Sequence, residues 1–251
     1  MGTDRDWEIW GATDPYYGVY SSDKFREKNL SEQTRNEFFQ SGESHIKGVF
    51  DTINRVFVKD FSPRRSLDFG CGVGRLVLPL GSRSGEVVGL DISRSMLAEA
   101  RKNCSKLDNC RFALADDHLS EVIGTFDLIH SFIVFQHIPQ EKGLRLIERL
   151  LERVDRGGIA VIHFVYRINA PVLTRFLVRL RYTFRPLHYL RNIYKGLPLK
   201  DPPMQMHAYD LRLLLHNMNA LGYSKIYQDL DCWDNGTFDM TTIYAQRSEV
   251  R

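Results

Sequence analysis

The sequence predicts an α/β fold, in which a doubly wound and largely parallel sheet is covered by helices on both faces. Two observations predict it. Between residues 64 and 166, short apolar strands alternate with helical segments, which is typical of a parallel sheet. The first strand, 66–69, runs directly into a glycine-rich turn at 70–74 that opens a helix. Such a turn is typical of folds that bind a ligand at the ends of their strands.

The elements follow from apolar periodicity and from their start and stop signals. Pro15 and Gly18 indicate a turn, Ser31 is a candidate helix N-cap, and Gly157 with Gly158 is expected to close the helix before the fifth strand. The predicted helices are 31–39, 44–58, one that starts within 73–81, 94–104, 140–154, 170–184 with a second short helix after it, and 209–221. The predicted strands are 66–69, 86–92, 110–116, 125–133, 159–165, 223–230 and 239–247. The last two strands are expected to pair antiparallel at a sheet edge.

These elements divide the chain into four segments. Residues 1–62 are predicted to form an aromatic-rich lid, and residues 63–166 the binding core. Residues 167–206 form a helical cap insertion, and residues 207–251 supply a C-terminal helix and the closing strand pair. Ligands in such sheets bind at the carboxyl ends of the strands, so the lid and the insertion are both expected there.

Composition excludes several classes of protein. Of the 251 residues, 43% are hydrophobic and 26% are charged, which excludes a chain that is disordered throughout. The four cysteines form no CxxC pair and have no zinc-finger spacing, so neither a disulfide framework nor a metal site is expected. The N-terminus is too charged for a signal peptide, and no stretch approaches the ~20 apolar residues of a membrane span. These features predict a cytoplasmic protein.

Positive charge is concentrated in the insertion. The net charge is +3, yet residues 167–200 carry eight Arg and Lys and no Asp or Glu. The segment is interpreted as a solvated helical face, as a site for an anionic substrate, or as a contact for a membrane surface or nucleic acid. A membrane contact is less favoured, because the apolar stripe on the helix is more typical of core. A nucleic-acid contact is less favoured, because no RNA-binding module is present. That stripe consists of Leu173, Phe176, Leu177, Leu180 and Phe184.

Acidic residues at the strand ends indicate the kind of ligand. Asp68 lies two residues before Gly70, where a carboxylate suits a ligand with a cationic amino group and would repel a pyrophosphate. Asp91 ends the second strand, where a carboxylate accepts both hydroxyls of a ribose. Asp116 and Asp117 end the third strand, where an acceptor can take the exocyclic amine of adenine. One of these two is expected to cap the helix that follows, and Asp116 is favoured over Asp117 for the ligand.

These motifs, in this order, resemble those of the class I methyltransferases that use S-adenosylmethionine (SAM). The resemblance covers residues 64–166 and rests on LDFGCGVGR, GLDIS, ALADD, FDLIHSFIVFQHI and GGIAVIHF. It implies a seven-stranded sheet with the last strand antiparallel, SAM as the cofactor, and S-adenosylhomocysteine (SAH) as its product. It also implies a set of cofactor-binding residues, namely Asp68, Gly70, Cys71, Gly72, Gly74, Asp91, Ile92, Met96, Asp116, Asp117, Ser131 and Phe132.

The acceptor is expected to be a small molecule, phosphorylated or a sugar, that is methylated on oxygen or nitrogen. DPYYGVY and the general layout resemble bacterial small-molecule or glycan-pathway methyltransferases. A hydroxyl acceptor benefits from a general base, for which His137 and His207 are the candidates, ahead of His163. The predicted substrate-binding residues are Tyr16, Tyr17, Arg175 and Arg179.

Two other functions stay open at this point. A nicotinamide-dependent oxidoreductase predicts a GxGxxG turn, whereas Gly70, Gly72 and Gly74 form GxGxG with Asp68 ahead of them. A non-catalytic protein that binds SAM would keep every cofactor motif and transfer no methyl group.

Overall fold

A computed structural model describes residues 3–249. A single seven-stranded sheet has the order β3-β2-β1-β4-β5-β7-β6, in which β7 alone runs antiparallel to its neighbours. The strands are β1 (Arg65–Phe69), β2 (Glu86–Asp91), β3 (Cys110–Leu114), β4 (Phe126–Ser131), β5 (Val154–Ile168), β6 (Tyr223–Trp233) and β7 (Phe238–Arg247). The predicted doubly wound α/β fold, with its antiparallel last strand, is confirmed.

Helices cover both faces of this sheet. They are α1 (Thr3–Thr13), α2 (Pro15–Val19), α3 (Glu32–Val56), α4 (Val77–Gly81), α5 (Arg94–Asn103), α6 (Gln140–Glu152), α7 (Val172–Thr183), α8 (Arg185–Tyr194) and α9 (Leu211–Ala220). Separate buried clusters lie on the two faces: α6 and α9 contribute to one, and α3, α4 and α5 to the other. No helix within residues 3–249 combines the length and the apolar character needed to cross a bilayer.

The N-terminal region is more helical than its sequence predicted. The predicted turn at Pro15 and Gly18 is wrong, because this segment is the short helix α2, with proline at its first position. The two helices predicted between 31 and 58 are one helix, α3. Ser31 caps it as predicted, in a capping box with Thr34. Gly42 does not break the helix; it lets the helix approach the backbone of Arg75, which a Cβ would meet at 2.4 Å.

Two further expectations are wrong. Gly157 and Gly158 do not close a helix, because α6 ends at Glu152 and both glycines lie inside β5, where its register against β4 shifts. The apolar stripe of α7 is not core. Its side chains are exposed to solvent, and α7 has no buried residue.

Candidate active site

A cavity opens at the carboxyl ends of β1, β2, β3 and β4. This is the edge where parallel strands of doubly wound sheets present their ligand-binding residues. Its walls come from the glycine turn, the strand ends, the segment after β4, helix α6 and the N-terminal helices. The side chains used below that line it are Trp7, Val19, Asp68, Arg75, Asp91, Ile92, Met96, Asp116, Asp117, Phe132, Ile133, His137 and Lys142.

Helices α1 and α2 cover this cavity. Trp7 of α1 and Val19, the last residue of α2, contribute to its walls. On α1, Glu8 accepts a hydrogen bond from the Ser93 hydroxyl at 2.8 Å, which ties the helix to the N-terminus of α5. Helices α1 and α2 therefore lie over the strand ends.

The glycine turn brings backbone close to the space a ligand would fill. Gly70 and Gly72 have φ values of +75° and +52°, in the left-handed region that glycine adopts without strain. A Cβ would lie 2.3 Å from a methyl of Val134 at Gly70, and 2.3 Å from a methyl of Val19 at Gly72. Side chains at these positions would collide with two walls of the cavity.

Asp68 and Arg75 place opposite charges at the same end of the cavity. Both side chains are buried. The Asp68 Oδ1 atom accepts a hydrogen bond from Nδ1 of His130 at 2.8 Å, and His130 Nε2 contacts His45 Nε2 at 3.0 Å. Arg75 donates through Nη1 to the Ser41 hydroxyl at 3.2 Å. Within the described chain, Oδ2 of Asp68 and Nε of Arg75 are buried without a hydrogen-bond partner.

These two orphaned atoms match the amino-acid end of SAM. An ammonium group would satisfy the carboxylate of Asp68, and a carboxylate would satisfy the guanidinium of Arg75. Buried polar atoms without partners are rare and costly, so this pair of atoms suits a zwitterionic ligand. Burial lowers the pKa of Arg75 to about 10, while the neighbouring Asp68 opposes that change. Arg75 therefore carries its positive charge at neutral pH.

Asp91 is held by the glycine turn and by the start of α5. Its Oδ2 accepts from the Gly72 amide at 2.9 Å, and its Oδ1 accepts from the Ser93 amide at 2.9 Å. Each carboxylate oxygen keeps a lone pair, so both hydroxyls of a ribose can be bound. Ile92 and Met96, which follow it, also line the cavity.

The two acidic residues after β3, Asp116 and Asp117, have different partners. Asp116 accepts from the amides of His118 and Ser120, both at 2.9 Å, so it caps the turn that follows. Asp117 forms an ion pair with Lys142 at 2.7 Å, and Lys142 also reaches Asp4 of α1 at 3.3 Å. Both carboxylates line the cavity. The cap therefore falls on Asp116, the residue that was favoured for the ligand, and not on Asp117.

The segment after β4 supplies the aromatic side of the cavity. Phe132 stacks on His45 at 3.8 Å between ring centroids and lies 4.8 Å from the ring of His163. Ile133 has φ of +61°, a strained conformation for a β-branched residue. Such strain is found at ligand-binding sites, where the surrounding fold imposes it.

His137 lines the same cavity. Its Nδ1 lies 2.8 Å from the backbone oxygen of Gln205, which accepts, so Nδ1 carries the hydrogen and Nε2 is left as the acceptor. Its ring lies 5.0 Å from Trp7 of α1. Burial lowers the pKa of His137 to about 4, so the ring is neutral at physiological pH and can accept a proton.

Two of the predicted cofactor residues lie outside the cavity walls. Ser131 is buried, and its hydroxyl donates to the backbone oxygen of Phe69, which joins β4 to β1. At Gly74, a Cβ would lie 2.9 Å from the sulfur of Cys104, so this glycine permits close packing of α5. Cys71, which does line the cavity, is a buried thiol whose pKa burial raises.

The predicted substrate tyrosines also lie outside the cavity walls. Tyr16 is buried, and its hydroxyl donates to Glu99 of α5 at 2.9 Å. Tyr17 lies against Arg26, whose guanidinium carbon is 3.5 Å from the ring centroid. In this structure, both side chains hold the lid to its neighbours.

The remaining candidates lie in or after the insertion. His207 donates its backbone amide to Gln136, and its Nε2 is buried without a partner, but its ring is outside the cavity walls. Arg175 and Arg179 are on the exposed surface of α7. None of the cavity walls comes from residues 167–206, whereas α1 and α2 supply Trp7 and Val19.

Sequence reasoning missed four residues of the site. Arg75 directly follows Gly74 in the recognised turn, and its charge next to Asp68 was the available signal. Trp7 belongs to a helix that the sequence did not predict. Lys142 had no local signal, because its ion pairs join distant segments. The strain at Ile133 cannot be inferred from the identity of the residue.

Comparison with known proteins is consistent with this geometry. Residues 67–158 match the model of the methyltransferase domain family. The trans-aconitate 2-methyltransferase of Deinococcus radiodurans is 37% identical over 98 residues, which cover 38% of this chain and 36% of that protein. The magnesium-protoporphyrin O-methyltransferase of Synechocystis is 33% identical over 92 residues, covering 36% and 40%. The chain thus spans less than half the length of these two relatives.

Solved structures share the fold along almost the whole chain. Magnesium protoporphyrin IX methyltransferase from Synechocystis with bound SAH aligns with a TM-score of 0.61, at 18% identity, over 98% of this chain and 100% of that one. N-methyltransferase NodS from Bradyrhizobium japonicum, in complex with SAH, gives 0.57 at 10% identity, over 96% and 98%. These likenesses establish the fold around the matched domain.

Proposed function

We propose that this chain, whose core belongs to the class I SAM-dependent methyltransferases, transfers the methyl group of SAM to an oxygen or nitrogen of a small molecule. One observation carries the proposal. Asp68, Arg75 and Asp91 lie around one covered cavity at the strand ends, and their unused hydrogen-bonding atoms match SAM from its amino-acid end to its ribose. When bound, SAM supplies an electrophilic methyl group on a sulfonium.

The chain's own residues would align the acceptor and take its proton. Reactions of this kind gain most from correct placement of the nucleophile. We propose that the acceptor would approach along Phe132, and that Nε2 of His137 would accept the proton that a hydroxyl loses as its oxygen bonds to the methyl carbon. The carbon–sulfur bond would break in the same step, which leaves SAH. The family match supports methyl transfer over a nicotinamide-dependent oxidoreductase.

The charge of the acceptor is a separate matter. Two cations line the cavity, Arg75 and Lys142. Arg75 is near Asp68, and Lys142 is paired with Asp4 and Asp117. Arg175 and Arg179 are outside the walls. The cavity therefore gives an anionic acceptor no preference over a neutral one, and we propose a small molecule without specifying its charge.

Incubation with SAM carrying a labelled methyl group tests the function. Fractionated small-molecule extracts serve as acceptors, and SAH is measured at the same time. We expect label in at least one fraction, with an equal amount of SAH formed. Tight SAM binding without label in any fraction would support the non-catalytic alternative instead.

The replacement His137→Gln tests the base. With a hydroxyl acceptor we expect kcat to fall by about 10²- to 10⁴-fold, because a general base contributes about this much. Affinity for SAH should change by less than about threefold. His216→Gln, an exposed histidine on α9, is the matched control and should leave kcat unchanged. A kcat near the wild-type value in His137→Gln would remove His137 from the mechanism.

The pH dependence of SAH binding tests Asp91. Burial raises the pKa of Asp91 to about 6, although the hydrogen bonds from the Ser93 and Gly72 amides act to lower it. Only the ionised carboxylate accepts two ribose hydroxyls, so affinity should be constant above about pH 7 and fall about tenfold per unit well below the pKa. The pKa values of His137 and His163 are about 4, so both stay neutral in most of this range.

Calorimetry between pH 5 and 8 measures that dependence. Asp91→Asn cannot ionise and should give weaker binding with a nearly flat pH profile. An equally steep profile in this variant would assign the titration to another group.

We propose that the N-terminal segment acts as the lid. Trp7, Gly18 and Val19 line the cavity, so a bound cofactor would touch α1 and α2 directly. Closure over a ligand restricts local opening. Hydrogen exchange across residues 3–19 should slow when SAH is added, and exchange in α9, which contributes no residue to the cavity walls, should not change. Equal exchange in 3–19 with and without SAH would count against a lid.

A further inference from the structure

The helical pair α7 and α8 exposes most of the large hydrophobic side chains that reach solvent. In residues 3–249, 18 large hydrophobic residues are exposed, and 12 of them lie between 172 and 199. Single exposed hydrophobic residues are ordinary, but a contiguous group marks an interaction surface. The 12 residues are Val172, Leu173, Phe176, Leu177, Leu180, Phe184, Leu187, Tyr189, Leu190, Ile193, Tyr194 and Leu199.

The apolar face of α7 points away from the body of the protein. Val178 and Tyr182 form its less exposed face, and the Tyr182 hydroxyl donates to the backbone oxygen of Met204 at 3.1 Å. At about 100° per residue, this face is opposite the stripe that contains Phe176 and Leu180. A helix that belonged to the core would have the reverse orientation. The stripe is therefore available to something outside the described chain.

The same surface is strongly basic. Between residues 167 and 200 there are eight Arg and Lys and no Asp or Glu. Two of these are paired, Arg167 with Asp239 and Arg185 with Asp6. The other six have no carboxylate at ion-pair distance among residues 3–249. They are Arg175, Arg179, Arg181, Arg191, Lys195 and Lys200.

Two basic residues of α7, Arg179 and Arg181, flank its apolar stripe. Helical geometry puts Arg179 and Arg181 about 100° to either side of the stripe's centre. Arg181 also lies near Arg191 of α8, and burial together with the charge of Arg181 lowers the pKa of Arg191. Two neighbouring cations without a carboxylate are a place where a bound anion would relieve repulsion.

We propose that the surface formed by the exposed side chains of α7 and α8 docks on an anionic lipid bilayer. The apolar stripe would enter the boundary between headgroups and acyl chains, and the flanking arginines would meet lipid phosphates. The positive charge of this surface indicates which partner binds it. A second copy of the chain, paired through the same surface, would bring six unpaired cations against six. An anionic membrane complements both the charge and the apolar face. The inference goes beyond the proposed function and does not depend on it.

Vesicle flotation tests this with the full chain. We expect binding to vesicles of phosphatidylglycerol and phosphatidylcholine, much weaker binding to phosphatidylcholine alone, and loss of binding as salt rises, because salt screens these charges. Replacing Arg179 and Arg181 together by Gln should weaken binding about 30-fold, since each basic residue near an anionic surface contributes about fivefold. Replacing Phe176 and Leu180 together by Ser should weaken it at least tenfold.

The matched controls remove charges or an exposed apolar side chain outside the insertion. Lys59→Gln with Lys106→Gln removes two exposed charges outside the insertion, and Ile123→Ser removes a side chain that is 81% exposed. Both should bind vesicles as the wild type does. All variants should keep wild-type affinity for SAH, which separates this test from that of the proposed function.

Two results would overturn the proposal. One is equal binding of the chain to neutral and anionic vesicles, or no binding to either, while the chain still binds SAH. The other is a dimer in sedimentation equilibrium without lipid that the change of Phe176 and Leu180 to Ser converts to monomer, which would assign the surface to a second copy.

Discussion

Replacement of Asp91 by alanine is expected to weaken SAH binding by about 2–4 kcal/mol, or about 30- to 1000-fold. The carboxylate offers one acceptor to each ribose hydroxyl, and a buried hydroxyl left without its partner costs the full desolvation of that group. The variant also loses the acceptors for the amides of Gly72 and Ser93, which shape the turn and the start of α5. Both effects act in the same direction.

The isosteric replacement separates these contributions. Asp91→Asn keeps one oxygen acceptor and the volume of the side chain, so its loss should be smaller than that of Asp91→Ala. Calorimetry measures both, with Asp108→Asn, an exposed acid, as the control that should bind normally. Thermal unfolding of the ligand-free variants reports damage to the turn. SAH affinity within twofold of wild type in Asp91→Ala would refute the ribose assignment.

The core of the fold was predictable because its signals are local. Strand periodicity, the glycine turn and the capping serine each act over a few residues. The bounds of β2 and the N-cap of α3 were therefore anticipated closely. Errors arose where tertiary packing decides. Gly42 remains in a long helix because Arg75 packs against it, and Gly157 lies in a strand because β4 pairs alongside.

The part of the site that follows strand ends was predictable as well. Asp68, Asp91 and the glycines follow strand ends, so their convergence follows from a parallel sheet. Helix α1 could not be inferred, because Glu8 and Asp4 hold it through contacts with Ser93 and Lys142, which are more than 80 positions away. The exposed stripe of α7 has the same periodicity as a buried one. Periodicity identifies the apolar face of a helix but not its partner.

The zwitterion site gives the other large expected effect. Asp68→Asn and Arg75→Met should each weaken SAH binding by about 2–4 kcal/mol, because removal of one member of a buried charge-assisted pair leaves the other uncompensated. Methylthioadenosine has the adenine, ribose and thioether of SAH but lacks its amino-acid end. Its affinity should change by less than about threefold in both variants.

The choice of substitutions keeps the surroundings intact. In Asp68→Asn, the amide oxygen can still accept from Nδ1 of His130, and an NH₂ group replaces the oxygen that would face the ammonium. Arg75→Met keeps most of the length of the side chain and removes its charge. Asp91→Ala is the internal control, because it should weaken both ligands to a similar degree.

Calorimetric titration of each variant with both ligands compares the loss of SAH affinity with the loss of methylthioadenosine affinity. Selective loss of SAH affinity identifies Asp68 and Arg75 as the groups that bind the ammonium and the carboxylate. Equal loss for both ligands would mean that these residues act by supporting the turn. No loss for either would place the amino-acid end of the cofactor elsewhere. The selective result is expected, because Asp68 Oδ2 and Arg75 Nε are buried, opposite in charge and without other partners among residues 3–249.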